Sequence, residues 1–501
     1  MHHLLNILIW LPIVGGIFVF LTGDDNNPNV SRYVSLFTVV LTLMLCVPLM
    51  AGFDAGTYSM QYVEELPWIS SLGISYSLGI DGLSLLLIVL SIFTNLIVIL
   101  ATWNSVRQRV AQYMAAFLIM QGLLVGVFSA MDAIVFYIFW EATLIPMYLI
   151  IGVWGSDNRV YAAIKFFLYT FLGSVLMLGS FLYIGYIAGS FKIETMYAIK
   201  LSMLAQSLIF FAFFLGFAIK IPMFPVHTWL PDAHTEAPAG GSIVLAAILL
   251  KLGAYGFIRF ALPIVPDACR HYAPLMVTLS LVAVVYIGLV AIIQRDMKRL
   301  IAYSSISHMG FVTLGCFAIY AIAERAGLRS AGLVLEGAIV IMISHAFVSS
   351  ALFAGVGFIY DRMHTRKISD FGGLVHTMPV FATFFMLFAM ANAGLPGTSG
   401  FVGEFMVILG SIKAGFWVAF WAATTLIIGA AYTLWLYKRV IFGPIANDKV
   451  AALKDISGFE VSAFVLLALM VVGMGVYPKP VLNLVHQSVS HTLAQADKTK
   501  L

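Results

Sequence analysis

Runs of about twenty apolar residues, the length that crosses a bilayer, recur from the first residues of this 501-residue chain almost to its last. Only 10% of its residues are charged, where soluble proteins carry about a quarter. That arithmetic excludes a soluble enzyme and leaves room for no sizeable domain outside a membrane. It predicts an all-α polytopic membrane protein.

Window hydropathy predicts about fourteen spans, at residues 4–21, 33–51, 80–103, 112–130, 132–154, 162–188, 204–235, 239–262, 274–294, 299–322, 331–359, 379–413, 416–442 and 457–477. No Lys or Arg precedes the first run, and Thr22-Gly23-Asp24-Asp25 is no small-residue cleavage site. The first run is therefore expected as a retained helix and not a signal peptide. If the loops alternate sides, fifteen Lys and Arg fall on one side and ten on the other, with Lys220 and Lys251 inside spans. The richer side is expected to be cytoplasmic, which puts both termini outside.

The net charge of +4 is spread over short loops without a basic stripe, so no nucleic-acid footprint is present. Cys46, Cys269 and Cys316 have neither CxxC nor Cys/His spacing, which indicates no disulfide framework, zinc site or iron–sulfur cluster. No Gly-rich phosphate loop is visible either. Any transport must draw its energy from a partner.

Two spans are too interrupted to be straight. The seventh carries Lys220-Ile221-Pro222-Met223-Phe224-Pro225 and then Pro231, and the twelfth carries Gly394-Leu395-Pro396-Gly397-Thr398-Ser399-Gly400. Proline removes a backbone donor and clashes with the preceding turn, so both are expected to be broken helices. Irregular backbone at membrane depth survives only inside protein or beside a wet cavity. Broken helices five spans apart also suggest inverted repeats. The expected division is residues 1–111 as a three-helix segment, 112–262 and 274–442 as two inverted five-helix repeats, and 457–501 as a C-terminal helix and tail.

Four charges lie where the bilayer should be. Glu141 sits well inside the fifth span, Lys220 just before the first break, Lys251 in Ile248-Leu249-Leu250-Lys251-Leu252, and Glu404 just after the second break. Each costs about 2.5 to 3.5 kcal/mol on insertion scales, so it persists only if paired, hydrated or titrated. Opposite charges could simply hold helices together. Four deep groups, two of them beside broken helices, favour function instead. The proton affinity of a lysine in hydrocarbon depends on whether a carboxylate stands near it. A series of such groups can pass protons stepwise across the membrane. His308 and His345, in apolar spans beside serines, suit the same relay, although either alone could be a packing histidine. His227 and His234 are accessory candidates. With Asp232 and Glu236 they also invite a metal reading, but Pro231 breaks the face and no HExxH-type spacing appears. Asp132, Glu324 and Glu336 fall at span boundaries where water is close, and Arg295-Asp296-Met297-Lys298-Arg299 reads as a solvated turn.

Five motifs together resemble one family. They are Phe139-Trp140-Glu141-Ala142 through Pro146, Lys220-Ile221-Pro222 through His234, Leu249-Leu250-Lys251, Lys298-Arg299-Leu300-Ile301-Ala302-Tyr303-Ser304-Ser305 through Gly310, and Gly403-Glu404-Phe405. The chain resembles the antiporter-like membrane subunits of respiratory complex I along nearly its whole length. Glu404, where the L and N types are expected to carry lysine, and an end soon after the fourteenth span point to the M-type branch. The resemblance implies a proton-translocating subunit in which Glu141 and Lys220 form an input pair, Lys251 a central relay and Glu404 a terminal one, with His308 and His345 assisting. It implies L- and N-type neighbours in a bacterial inner membrane. It also places FMN, iron–sulfur clusters and quinone in partner subunits, with no cofactor or metal in this chain. One departure is Ala346, where relatives often have glycine. The alternative is a subunit of a multisubunit sodium/proton antiporter, which shares fold and charges; a mere scaffold would explain neither the broken helices nor the deep lysines.

Overall fold

The computed structural model describes residues 3–24 and 27–501; Asp25, at the end of the first expected span, lies outside them. Among the described residues, thirteen helices are long and apolar enough to cross a membrane. They are α1 (Leu4–Thr22), α2 (Pro28–Ala51), α3 (Gly82–Ala101), α4 (Val110–Ser129), α5 (Ala133–Trp154), α6 (Arg159–Ala188), α7 (Met203–Lys220), α9 (Ala239–Ile264), α10 (Pro266–Ile292), α11 (Met297–Ala326), α12 (Leu328–Met363), α15 (Phe416–Ile441) and α16 (Phe459–Val476). The short α8 (Trp229–Glu236) continues the seventh expected span beyond its break. The twelfth is split into α13 (Pro379–Asn392) and α14 (Ser399–Ala414), each too short to cross alone. These thirteen helices and the split twelfth span account for the fourteen that hydropathy predicts.

Burial sorts the helices. The apolar windows of α9 and α12 are wholly buried, and those of α3, α4 and α11 nearly so, whereas α1, α2, α6, α10, α15 and α16 turn most of their surface outward. In water such exposed Leu, Ile and Phe would be a defect; in a bilayer they face a solvent as apolar as themselves. The all-round hydrophobic inner helices then have polar positions only where another helix supplies a partner.

Two elements lie outside the helical expectation. β1 (Gln61–Ile69) and β2 (Ile74–Ile80) form an antiparallel hairpin. β2 is almost entirely buried, and its apolar run flows directly into α3, so hydropathy reads the junction as helix. The hairpin is stitched to the α4–α5 junction by Met131 N–H donating to Ser77 O (2.9 Å) and Ser75 N–H donating to the Asp132 carboxylate (3.1 Å). Asp132 is accordingly fully buried and caps α5, not a boundary residue near water. The tail beyond α16 is itself a helix, α17 (Lys479–Ala496). Its Val485, Val489, Leu493 and Ala496 are buried at steps of three and four residues, the pattern of a helix lying on a surface. The ninth span begins at Pro266, eight residues before 274, because Asp267, Arg270 and His271 depress the hydropathy of its first two turns.

The loops gather at two ends. At one, Arg32 donates to Val106 O (2.9 Å), Ser105 to Asp361 (2.9 Å) and Arg366 to Asp296 (3.1 Å). At the other, Arg270 pairs with Asp497 (2.8 Å) and Arg325 donates to Ala414 O (2.7 Å). Arg32 and Arg366, of the fifteen-charge set, thus lie among one group of loops, and Arg270 and Arg325, of the ten-charge set, among the other.

A buried ion pair ties α3 to α9. Asp81 caps α3 through Ser84 N–H (2.9 Å) and accepts from Arg259 Nη2 (2.7 Å), while Arg259 Nε donates to the Tyr255 hydroxyl (3.2 Å). Removing one partner of a buried pair strands the other charge at about 3 to 5 kcal/mol. Asp81→Leu is therefore expected to lower the melting temperature of the solubilised assembly, and Asp81→Leu with Arg259→Met to recover part of that loss, as read by thermal unfolding.

Candidate functional site

Glu141 lies on α5 one turn before Pro146, which can give no amide hydrogen to the carbonyl of Ala142. The helix breaks at Thr143 as a result, between Ala142 and Leu144. Sequence reading treats this span as straight, though Pro146 carries the signal. Glu141 is half-buried, and Ser174 and Lys220 act on its carboxylate. Lys220 ends α7 at the first predicted break and is buried. Its Nζ has no hydrogen-bond partner within the protein and sits 5.4 Å from the Trp140 ring and 5.7 Å from Phe166. Glu141 and Lys220 therefore interact through space, without a direct ion pair among the described residues. Trp229, just past the break, donates to Ile219 O at 2.8 Å and satisfies a carbonyl that the interruption frees.

A second group forms a continuous row. Lys251 is fully buried on α9 between two π-helical turns, Leu245–Leu249 and Phe257–Ala261. Such turns release carbonyls from the regular ladder, and Lys251 Nζ donates to Ala246 O at 2.6 Å. The same Nζ lies 2.8 Å from His345 Nδ1 on α12. The rings of His345 and His308 are 5.9 Å apart, and His308 Nδ1 is 2.8 Å from Glu404 Oε1 on α14. His308, Ser344, His345, Asn392 and Glu404 line a cavity of about 20 Å³, enough for one water by the rough threshold of 10 to 15 Å³.

Close packing and the second break position the far end. Gly394 has φ +77°, and a Cβ there would approach Glu404 Oε2 to 3.1 Å. A Cβ on Gly403 would meet Ile341 N at 2.7 Å and Gly337 O at 2.9 Å, so glycine lets α14 lie directly on α12. The structure thus joins Lys251, His345, His308 and Glu404, and separately brings Glu141 to Lys220. Among the described residues no side-chain hydrogen bond links the two groups, for Lys220 Nζ makes none.

The accessory histidines differ. His234 on α8 is fully buried, stacked on Phe353 at 4.4 Å, with neither ring nitrogen hydrogen-bonded within the protein. His227 is buried beside Phe224, with Nδ1 unpartnered. Among the described residues no three His, Cys, Asp or Glu groups converge as metal ligands. Asp232 binds Lys165 (2.7 Å) and Glu236 accepts from Ser156 (2.8 Å). Sequence reasoning missed Tyr432, whose hydroxyl lies 3.3 Å from His308 Nε2, and the Ser344–Ser399 hydrogen bond of 2.9 Å. It also took Lys298 for a solvated residue; Lys298 is buried and donates to Ala237 O at 2.6 Å.

A family described as "NADH:quinone oxidoreductase/Mrp antiporter, TM" matches residues 130–429, which include Glu141, Lys220, Lys251, His308, His345 and Glu404 and stop just short of Tyr432. Subunit M of NADH-quinone oxidoreductase from Rhodobacter capsulatus is 46% identical over 522 aligned residues, 99% of either chain. The chain belongs to the subunit M family of NADH-quinone oxidoreductase. Chain 4 of the NADH-ubiquinone oxidoreductase of Marchantia polymorpha is 42% identical and covers 97% of this chain and 96% of its own. A chain of respiratory complex I from Thermus thermophilus, solved with bound NADH, superposes with a TM-score of 0.88 at 30% identity, covering 99% of this chain and 100% of that one. The sequence match to subunit M and the fold match to a chain of complex I each cover at least 99% of this chain.

The glycine contact gives a direct test of how the row is held. Gly403→Leu should force α14 off α12 and open the His308–Glu404 contact beyond 3.5 Å, measurable in a structure of the variant. An unchanged 2.8 Å contact would mean that Gly403 does not set it.

Proposed function

We propose that the chain is a proton-translocating membrane-arm subunit of NADH-quinone oxidoreductase, driven by quinone reduction in other subunits. The observation that carries the reading is the row Lys251–His345–His308–Glu404, hydrogen-bonded at both ends and bridged by a ring contact of 5.9 Å between the two histidines, buried in the middle of the helical body and ending at a broken span. Each member accepts and releases a proton without rearranging the fold, and the two histidines can relay by exchanging which ring nitrogen is protonated. Glu141 and Lys220 act as the input pair: a disturbance at Glu141 changes the field at Lys220, which no hydrogen bond buffers. Lys251 is the central relay, Glu404 the terminal one, and His227 and His234 are accessory.

In this reading residues 112–262 and 274–442 are inverted repeats that carry the broken seventh and twelfth spans respectively, between an N-terminal segment (1–111) and the C-terminal part (457–501). The membrane is the bacterial cytoplasmic membrane, with the basic-richer face inside and both termini outside. L- and N-type subunits are the neighbours, and the half-buried Glu141 suits an input arriving from one of them. FMN, iron–sulfur clusters and the quinone belong to partner subunits, and this chain holds none. A sodium/proton antiporter subunit is the weaker reading: sodium prefers several oxygen ligands, whereas Glu404 is engaged by His308.

In reconstituted vesicles of the whole complex, Glu141→Gln and Lys220→Ala should lower proton pumping by about ten-fold or more, while Lys449→Ala, on an exposed loop, leaves it near wild type. Wild-type pumping by Glu141→Gln would remove the input pair. Lys251→Arg should be as damaging, because arginine does not release its proton; full coupled turnover would exclude relay through that position. Replacing sodium by choline should leave pumping unchanged, and loss of pumping without sodium would favour the antiporter reading.

A further inference from the structure

An apolar cleft of about 270 Å³ opens between α2, α3, α12, α16 and the start of α17. Apart from the Tyr477 phenol, no polar or charged side chain lines it. Water does not fill such a space, since a buried water needs about two to four polar partners. A void of about 150 Å³ walled by Leu, Ile and Phe already takes up an organic guest. Two of the walls, α2 and α16, turn most of their surface outward to the bilayer, which puts hydrocarbon chains at the mouth.

The dimensions select a single extended chain. From Leu469 to Tyr477 the wall rises about 12 Å at about 1.5 Å per residue, close to the roughly 15 Å of hydrocarbon in one leaflet of a bilayer about 30 Å thick. Tyr477 stands at the end of α16 that leads into α17, where Arg270 meets Asp497. Phe93, which meets the Phe347 ring edge-on at 5.7 Å, lies about 10 Å further in along α3 than Leu86. A whole helix, about 10 to 12 Å across, does not fit a cleft of this volume. At the mouth, Lys479 lies between the cleft-lining Tyr477 and Val481, is exposed, and has no salt bridge among the described residues. Tyrosine and lysine at a membrane boundary face the headgroups, and an ammonium there complements a phosphate. The space is kept open by a missing side chain: a Cβ on the wall residue Gly473 would meet nothing within 4 Å.

We propose that this cleft binds one acyl chain of a phospholipid from the leaflet on the basic-poorer face, with the lipid phosphate at Lys479 and Tyr477. The tail packs against Phe93, Met474 and the flank of α12 formed by Ile343 and Phe347. The same turn of α12 carries Ser344 and His345, which line the small cavity beside Glu404, so only the thickness of that helix separates the lipid from the row. A filled cleft gives α12 an apolar neighbour on this flank and keeps water off it. The site is independent of the route by which protons move, and it stands whether the chain serves a redox complex or an antiporter.

The test uses the whole complex in vesicles of phosphatidylethanolamine and phosphatidylglycerol that carry a phospholipid with a diazirine at the end of one acyl chain. After irradiation, mass spectrometry of the digested chain should find adducts on Phe93, Phe347 and Met474 inside the cleft, as well as on Leu172 of the bilayer-facing α6. Gly473→Phe puts a ring into the cleft, with no left-handed backbone at that position to resist it. Its inner adducts should fall to the level of an unirradiated sample while those on Leu172 stay the same, and Gly473→Ala, which leaves the space open, should keep them. Inner adducts as strong in Gly473→Phe as in the wild type would come from bilayer lipid at large and overturn the site. A diacylglycerol with the same tail lacks the phosphate and should label the inner wall less than the phospholipid does, a difference that Lys479→Ala should abolish. Equal labelling by both probes in the wild type overturns the headgroup placement. A quinone with the diazirine on its isoprenoid tail is run in parallel. Inner adducts from the quinone and none from the phospholipid would assign the cleft to a quinone tail, and none from either would mean that a neighbouring subunit covers it; both results overturn the proposal.

Discussion

The constraint on which the rest of the structure depends is that hydrocarbon offers a charge nothing to bind. An ionisable group at that depth must be solvated by the protein, and a regular helix has no spare backbone groups to do it, since each carbonyl and amide is already engaged. Here each deep charge coincides with a helix irregularity. Glu141 stands beside the break at Thr143, Lys220 at the end of α7, Lys251 between two π-helical turns, and Glu404 just past the Gly394–Thr398 interruption. At Lys251 the solvation is explicit, for the released Ala246 carbonyl accepts from Nζ. Prolines and glycines at these places are therefore part of the electrostatics as much as of the fold.

The two groups of charges are built differently, and the difference suits different tasks. The row from Lys251 to Glu404 is linked by short hydrogen bonds and a water-sized cavity. Protons can move along such a row while the heavy atoms stay still. Glu141 and Lys220 share no hydrogen bond and sense each other through aromatic and apolar surroundings. In a low dielectric the interaction of two charges changes by kcal/mol for small changes of distance, so a pair held apart responds to a push where a locked pair would not.

Much of this was legible because apolar context isolates a charge so clearly. Lys220, Lys251, Glu404, His308 and His345 stand out in the sequence since each lies in an apolar span with no other charge close to it, and the Pro/Gly clusters at 222–225 and 394–400 announce their breaks. What stayed hidden was whatever depends on a partner distant in sequence. Tyr432 is one tyrosine among 21 until α15 brings it to His308. Lys298 sits in a run of charges that reads as solvated, and only the fold draws it beneath Ala237. Asp132 looks like a boundary residue until the hairpin closes over it. The hairpin itself was masked because a strand buried on both faces has no alternation to betray it.

The same protein also shows what buried charges look like when their task is to hold helices together. Arg259 meets Asp81 at 2.7 Å, with Ser84 and Tyr255 accepting further hydrogen bonds from it; Arg362 grips Glu460 with two bonds; Lys165 meets Asp232 at 2.7 Å. Each charge is closed by a permanent opposite charge. Among the described residues no salt bridge involves Lys220, Lys251, Lys298 or Glu141, although all three lysines are buried. If these groups were cross-links, the fold would have closed them as it closed Arg259, for an unpaired buried charge is the costlier state. Leaving them open gives up stability that a cross-link would have kept, which is the arrangement the proposed relay requires.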